Sequence, residues 1–220
     1  MAVFYTALPE ALDAGGVGLA AILLYTAPVY VAIASHLLFG DRLDRRRVAL
    51  IVATLAGVAL VAIGAGGSVA RPAAAVVWGL IAGLTYSSYY LVGRLLGPAF
   101  GPAATYAIAF PLGAVALAPR AEPGVVGGRT WALIVLIAVV STYLAYLCFA
   151  TGLRRVDPTR ASIVATLEPV VATALGASLY DERLGSVTLI GGAIIVVSAA
   201  ITARSGQSSG LRTAPVGGGS

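Results

Sequence analysis

The stretch YTAPVYVAIASHLLFGDRLDRRRVAL (residues 25–50) returns 141 positions later, without a gap, as TLEPVVATALGASLYDERLGSVTLIG (residues 166–191). Pro28 falls on Pro169, Val29 on Val170, Leu38 on Leu179 and the pair Arg42-Leu43 on Arg183-Leu184, with Asp41 over Glu182. The same register places Tyr5 on Tyr146, Leu12 on Leu153, Ala20 on Ala161, Ile22 on Ile163 and Ala59 on Ala200. Matches of Ala or Leu carry little weight in this composition. Proline, tyrosine and an acid-Arg-Leu triplet in one ungapped register mark an internal repeat. The first copy's turn, GDRLDRRR, holds four arginines and its counterpart, YDERLGSV, one. Five apolar crossings separate the two turns, and an odd number puts them on opposite sides of a bilayer. The turns before them agree: EALDAGGVG has no arginine and TGLRRVDPTR has three. The repeats are therefore inverted, an arrangement that in membrane proteins places a substrate site near the midplane between the copies.

The chain around this repeat has 220 residues, 59% apolar and only 10% charged, with a mean hydropathy of +0.95, which excludes an ordinary water-soluble fold. A membrane helix needs roughly 20 mainly apolar residues. Seven segments reach that length: 16–39, 48–66, 73–93, 101–119, 130–153, 161–180 and 184–203. The expectation is an all-α, polytopic transmembrane bundle of about seven full spans. Residues 1–12, broken by Pro9 and Glu10, form a partial helix before them. With no arginine before Arg42, this start is not a signal peptide. Residues 1–66 read as an incomplete first repeat, 73–203 as a complete second repeat of five helices, and 204–220, rich in Gly and Ser, as a disordered cytoplasmic tail. Counting arginines in alternate loops gives ten on one side (42, 45, 46, 47, 94, 154, 155, 160, 204 and 212) and four on the other (71, 120, 129 and 183). The positive-inside rule then puts the C-terminus in the cytoplasm of a multi-pass plasma-membrane protein. Topology and lipid-headgroup contact account for the run Arg45-Arg46-Arg47 more readily than a ligand site.

The two repeat stretches, extended to Val61 in the first copy and from Ala145 to Ile201 in the second, resemble the EamA-like family of the drug/metabolite transporter superfamily. Each looks like the end of an EamA unit: a proline-bearing helix, an acid-Arg-Leu turn and a closing helix of small residues. The resemblance implies ten helices in two inverted five-helix units and secondary transport of small metabolites or drugs by alternating access. The first unit here lacks counterparts of the helices at Ala73 and Gly101 and of the front half of the Thr130 helix. The alternative expectation is accordingly an inactive or partner-dependent fragment of such a transporter.

Chemistry is sparse. All 14 basic residues are arginine, so Schiff-base and P-loop lysines are excluded. One cysteine, Cys148, permits no internal disulfide, and no cluster of His, Cys, Asp or Glu suggests a metal. No cofactor, catalytic site or nucleic-acid partner is expected; the partners are the lipid bilayer and a small-molecule substrate. Glu168 is the one acid well inside a span, where a carboxylate faces a cavity or carries function. On its face of a continuous helix lie Ala161, Ala165 and Ala172, and Pro169 withholds a hydrogen bond from the Ala165 carbonyl one turn below. Together they offer a site for a cation, an amine or a proton, set against a protonated Glu168 bonded to a neighbouring helix. Pro28 acts on Leu24 in the same way in the first copy, where Ala27 stands in place of Glu168. Tyr86, Ser87 and Tyr90 in one span, and Thr142 and Tyr146 in another, supply hydroxyls that must find partners in the bundle interior, as pore lining or as interhelical hydrogen bonds. His36, one turn from its helix end, reads as a packing residue. Gly79 and Gly83 form a GxxxG whose partner lies within the bundle or across a homodimer.

Overall fold

The computed structural model describes residues 1–65, 70–96, 99–120, 127–180 and 185–210. Among them the regular structure is helical: α1 (Ala2–Leu24), α2 (Ala27–Phe39), α3 (Arg45–Ala65), α4 (Pro72–Leu96), α5 (Pro102–Leu117), α6 (Gly128–Leu136), α7 (Ala145–Leu153), α8 (Pro158–Ala165), α9 (Leu167–Tyr180) and α10 (Ser186–Gly210). A π-helical stretch, Ile137–Leu144, joins α6 to α7 in one rod. Six stretches among the described residues are long and apolar enough to cross a membrane, the first being Ala2–Phe39.

Several boundaries differ from those read in the sequence. The N-terminal partial helix does not stop at Pro9 or Leu12. It runs on through Gly15 to Gly16, whose φ of 71° and ψ of 172° interrupt α1. A positive φ is inexpensive only without a Cβ, so glycine at this position sets the kink. The segment 161–180 is not one helix either. It breaks at Thr166 (φ −69°, ψ −1°), which caps α8 before α9 begins. The segment 16–39 breaks 141 residues earlier at Tyr25 (φ −79°, ψ 11°). Pro28 is thus in the first turn of α2 and Pro169 in the first turn of α9, where a missing N–H has no intrahelical partner to lose. Both prolines begin helices instead of kinking them, and the face shared by Ala161, Ala165, Glu168 and Ala172 does not exist as one helical surface. At the far end α10 is helical to Gly210, beyond the expected limit at Ala203, and 211–220 lie outside the described residues. So does the second acid-Arg-Leu turn at Glu182 to Leu184.

Packing interleaves the two halves of the chain. Tyr25, Val58 and Val61 close on Ile195, with Leu167 and Val170 alongside. Val31 packs with Tyr90 and Leu153, and Ala32 and Ile51 pack with Ile163. α3 lies along α10, the two final helices of the two copies. Their backbones meet at Gly57 and Gly191: a Cβ on Gly191 would stand 2.6 Å from the Gly57 carbonyl oxygen. α4 lies along α1. A Cβ on Gly83 would stand 2.7 Å from the Leu23 carbonyl oxygen and 2.9 Å from Thr26 Oγ1. The GxxxG of α4 therefore packs within the bundle, against the end of α1. Large apolar side chains such as Leu37, Ile63, Val77 and Leu84 remain exposed, as lipid-facing positions require.

Candidate functional site

The break in each discontinuous helix has a local cause. Thr26 Oγ1 donates to the Leu23 carbonyl at 2.6 Å, and Thr166 Oγ1 donates to the Ile163 carbonyl. In each case the same carbonyl also accepts the threonine's own backbone N–H at 3.2 Å, so the last turn closes on itself through one residue's N–H and hydroxyl. α9 then begins at Leu167, which puts Glu168 in its first turn, where the helix dipole favours negative charge. Glu168 is an exposed residue there. Tyr25, at the break of the other copy, lies within electrostatic reach of the Glu168 carboxylate, as do Tyr86 and Tyr90. No arginine pairs with Glu168 among the described residues.

Tyr86 and Tyr90 sit one turn apart on α4, with the Tyr90 hydroxyl donating to the Tyr86 oxygen at 3.3 Å. They belong to a wall of aromatic rings. Phe4 stacks on Tyr86 at 5.6 Å, and Phe149 meets Tyr90 edge-on at 5.1 Å. On the adjoining side Tyr146 touches Tyr89, Tyr106 and Phe110 at 5.1 to 5.6 Å. The hydroxyls of Tyr5 and Tyr146 lie 3.5 Å apart, although they are counterparts in the repeat register. A cavity of about 180 Å³ opens beside this wall, lined in part by Ser88, Tyr89, Thr105, Tyr106 and Arg154. It lies on the Tyr89 side of α4 and does not include Glu168.

Of the residues singled out in the sequence, Glu168, Tyr86 and Tyr90 come together, and Pro28 and Pro169 shape the two breaks that frame them. Ala165 does not clear space beside the carboxylate: it packs with Ala161 against the Val31, Tyr90 and Leu153 cluster. Ser87 is buried and donates to the Leu84 carbonyl at 2.6 Å, which satisfies it within its own helix. Thr142 lies half-buried in the π-helical stretch, and Tyr146 belongs to the second aromatic group. Tyr25 joins the site although the sequence does not single it out; it stands three residues before Pro28, opposite Thr166 in the repeat register. His36 pairs through Nδ1 with the Asp41 carbonyl oxygen at 2.8 Å, closing the turn after α2. No group of three or more His, Cys, Asp or Glu able to hold a metal occurs among the described residues.

Six helical stretches apolar enough to span a bilayer, among the described residues, define a multi-pass α-helical membrane protein. Comparison with known proteins gives it a family. The EamA-like transporter family matches residues 1–63 and 73–204, and the chain belongs to that family of membrane transporters, within the drug/metabolite transporter superfamily. An uncharacterized transporter of Archaeoglobus fulgidus is 30% identical over 195 residues, which is 88% of this chain and 70% of that protein. A second from the same organism is 24% identical over 85% of this chain and 68% of its own length. The uncharacterized transporter YwfM of Bacillus subtilis is 27% identical over 56% of this chain and 43% of its own length. A crystal structure of a protein 21% identical superposes with a TM-score of 0.76 over 91% of this chain and 73% of its own, showing a shared fold.

Proposed function

We propose that the chain works as a secondary transporter of small metabolites or drugs by alternating access about two inverted repeats, in the plasma membrane with its C-terminus in the cytoplasm. The site at Glu168 takes a cation, an amine or a proton. The observation that carries this reading is the pair of helix breaks at Tyr25 and Thr166, 141 residues apart, with Tyr25 within electrostatic reach of Glu168 in the first turn after the second break. Discontinuous helices in corresponding positions of two repeats frame midplane sites in transporters, because interrupted backbone is tolerated in a membrane only where it lines a cavity or is buried in protein. The contact between the repeat counterparts Tyr5 and Tyr146 supports a pseudo-two-fold axis passing between them.

The test is flux in proteoliposomes, using ethidium as the organic cation and an entrapped pH dye for protons, with wild type and Glu168→Gln compared across pH. Glutamine keeps the volume and removes the charge. Flux of the cation is expected to fall at least about tenfold, the consequence of losing ~1.4 kcal/mol or more from one charge-assisted contact. Unchanged flux and unchanged pH dependence would remove the cation and proton roles from Glu168.

A further inference from the structure

The two ends of the bundle are closed to different degrees. α2 and α8 both reach the arginine-rich end and pack against each other along their lengths. In the repeat register their counterparts are α9 and the Gly16–Leu24 half of α1, and among the described residues these do not pack comparably. Two ion pairs reinforce the closed end by joining the first 65 residues to the remainder, and a third, Arg160 with Asp157 at 2.7 Å, is local to the start of α8. Arg94, at the end of α4, holds Asp41 of the α2–α3 turn through two hydrogen bonds of 2.5 and 3.2 Å, and its guanidinium lies 4.0 Å from the Phe39 ring centroid. Arg47, in the first turn of α3, reaches Asp157 at 3.8 Å. The counterparts of Arg47 and Asp157 are Thr188 and Gly16, which carry no charge. The same seam contains a frustrated feature. Ser35 of α2 and Thr159 of α8 are 0% and 1% exposed, and neither hydroxyl has a hydrogen-bond partner among the described residues. A buried hydroxyl without a partner is unfavourable and regains its hydrogen bonds when water reaches it.

We propose that the α2–α8 seam, with the Arg94–Asp41 and Arg47–Asp157 pairs, is a gate at the arginine-rich end, closed in this structure and opened when those pairs separate. The unpartnered hydroxyls of Ser35 and Thr159 lower the barrier to opening by favouring the hydrated state of the seam, while the ion pairs hold it shut. The inference rests on the transporter reading for its purpose but not for its test.

That test is cysteine accessibility in membrane vesicles carrying the full chain with Cys148→Ser and Ser35→Cys, using a membrane-impermeant maleimide applied to each face in turn. Labelling is expected to be slow from both faces in this parent. Adding Asp41→Asn and Arg47→Gln, of which the second leaves the Asp157–Arg160 pair and the cap on α8 in place, is expected to raise labelling from the arginine-rich face by roughly threefold to fivefold for each pair removed, the population shift an exposed ion pair supports. Molar salt, which screens the same pairs, raises labelling in the parent without any substitution and tests the gate should the double variant fail to fold. Fast labelling in the parent, or rates unmoved by both the substitutions and salt, overturns the gate. Because no substrate is involved, such a result leaves the Glu168 flux measurement standing, and a failed flux measurement leaves the gate standing.

Discussion

Glu168 and Tyr25 show how much one side-chain contact depends on backbone placement. The two are 143 positions apart, yet each sits within a few residues of a helix break that a threonine hydroxyl and a proline help to fix. Tyr25→Phe removes only the hydroxyl beside the carboxylate. The ring still fills the Val58, Val61 and Ile195 cluster, so thermal stability in detergent is expected to change little while cation flux falls several-fold. A loss of stability equal to the loss of flux would show that the hydroxyl serves folding and not the site. Asp157 carries a different load: its Oδ1 caps α8 by accepting from the Arg160 N–H at 3.0 Å, and its other oxygen accepts from Arg160 Nε at 2.7 Å. Asp157→Ala is expected to cost about 1–2 kcal/mol in unfolding, whereas Asp157→Asn, a good cap, costs less. Equal loss in the two variants, measured by thermal melts, would shift the weight from the cap to the ion pair. Glu168 was legible in the sequence because an acid inside an apolar span is costly and stands out. Tyr25 was not, since one tyrosine in an apolar run has no distinguishing mark until the helix that carries it is seen to end there.

The pairing of elements rests on small residues at defined levels. Gly83 lets α4 meet the broken end of α1, where backbone oxygens of Leu23 and Leu24 face it. A methyl group at Gly83 has only backbone and Thr26 to push against, so Gly83→Ala is expected to destabilise the bundle by about 1–3 kcal/mol and to disturb the Tyr25 break with it. Gly152→Ala, at a position with nothing within 4 Å of the added carbon, is the matched control and is expected to melt as wild type does. Equal melting of the two variants would remove the close approach as a determinant. The GxxxG spacing announced that something packs closely on α4. It did not say what, because the same spacing serves a neighbour in the bundle or a second copy. The helix interruptions were hidden for a related reason. Hydropathy measures how apolar a segment is and is blind to a single residue at ψ near zero, so 161–180 read as one span although it contains two helices. The sequence did mark the prolines, but their role in the first turn follows from where the helices start.

Across the whole molecule, arginine placement and ion pairing agree. The turns holding Arg42 to Arg47, Arg94 and Arg154 to Arg160 converge at one end, where Arg94 meets Asp41 and Arg47 meets Asp157. A reporter fused after Ala203 is expected to give a cytoplasmic signal, and a periplasmic one would invert the proposed orientation. Repeated crossing of the membrane, the matching of loops between the two copies and the family resemblance are all written in the order of the residues. Those properties follow from solvation, the transfer of apolar and charged groups between water and hydrocarbon, and each residue contributes to them locally. Where the helices break, which tyrosines come near Glu168, what the GxxxG packs on and where α2 meets α8 emerge only once the chain is folded. These depend on contacts between residues distant in the chain, formed through close packing and hydrogen-bond geometry, and a linear pattern of polarity does not encode them.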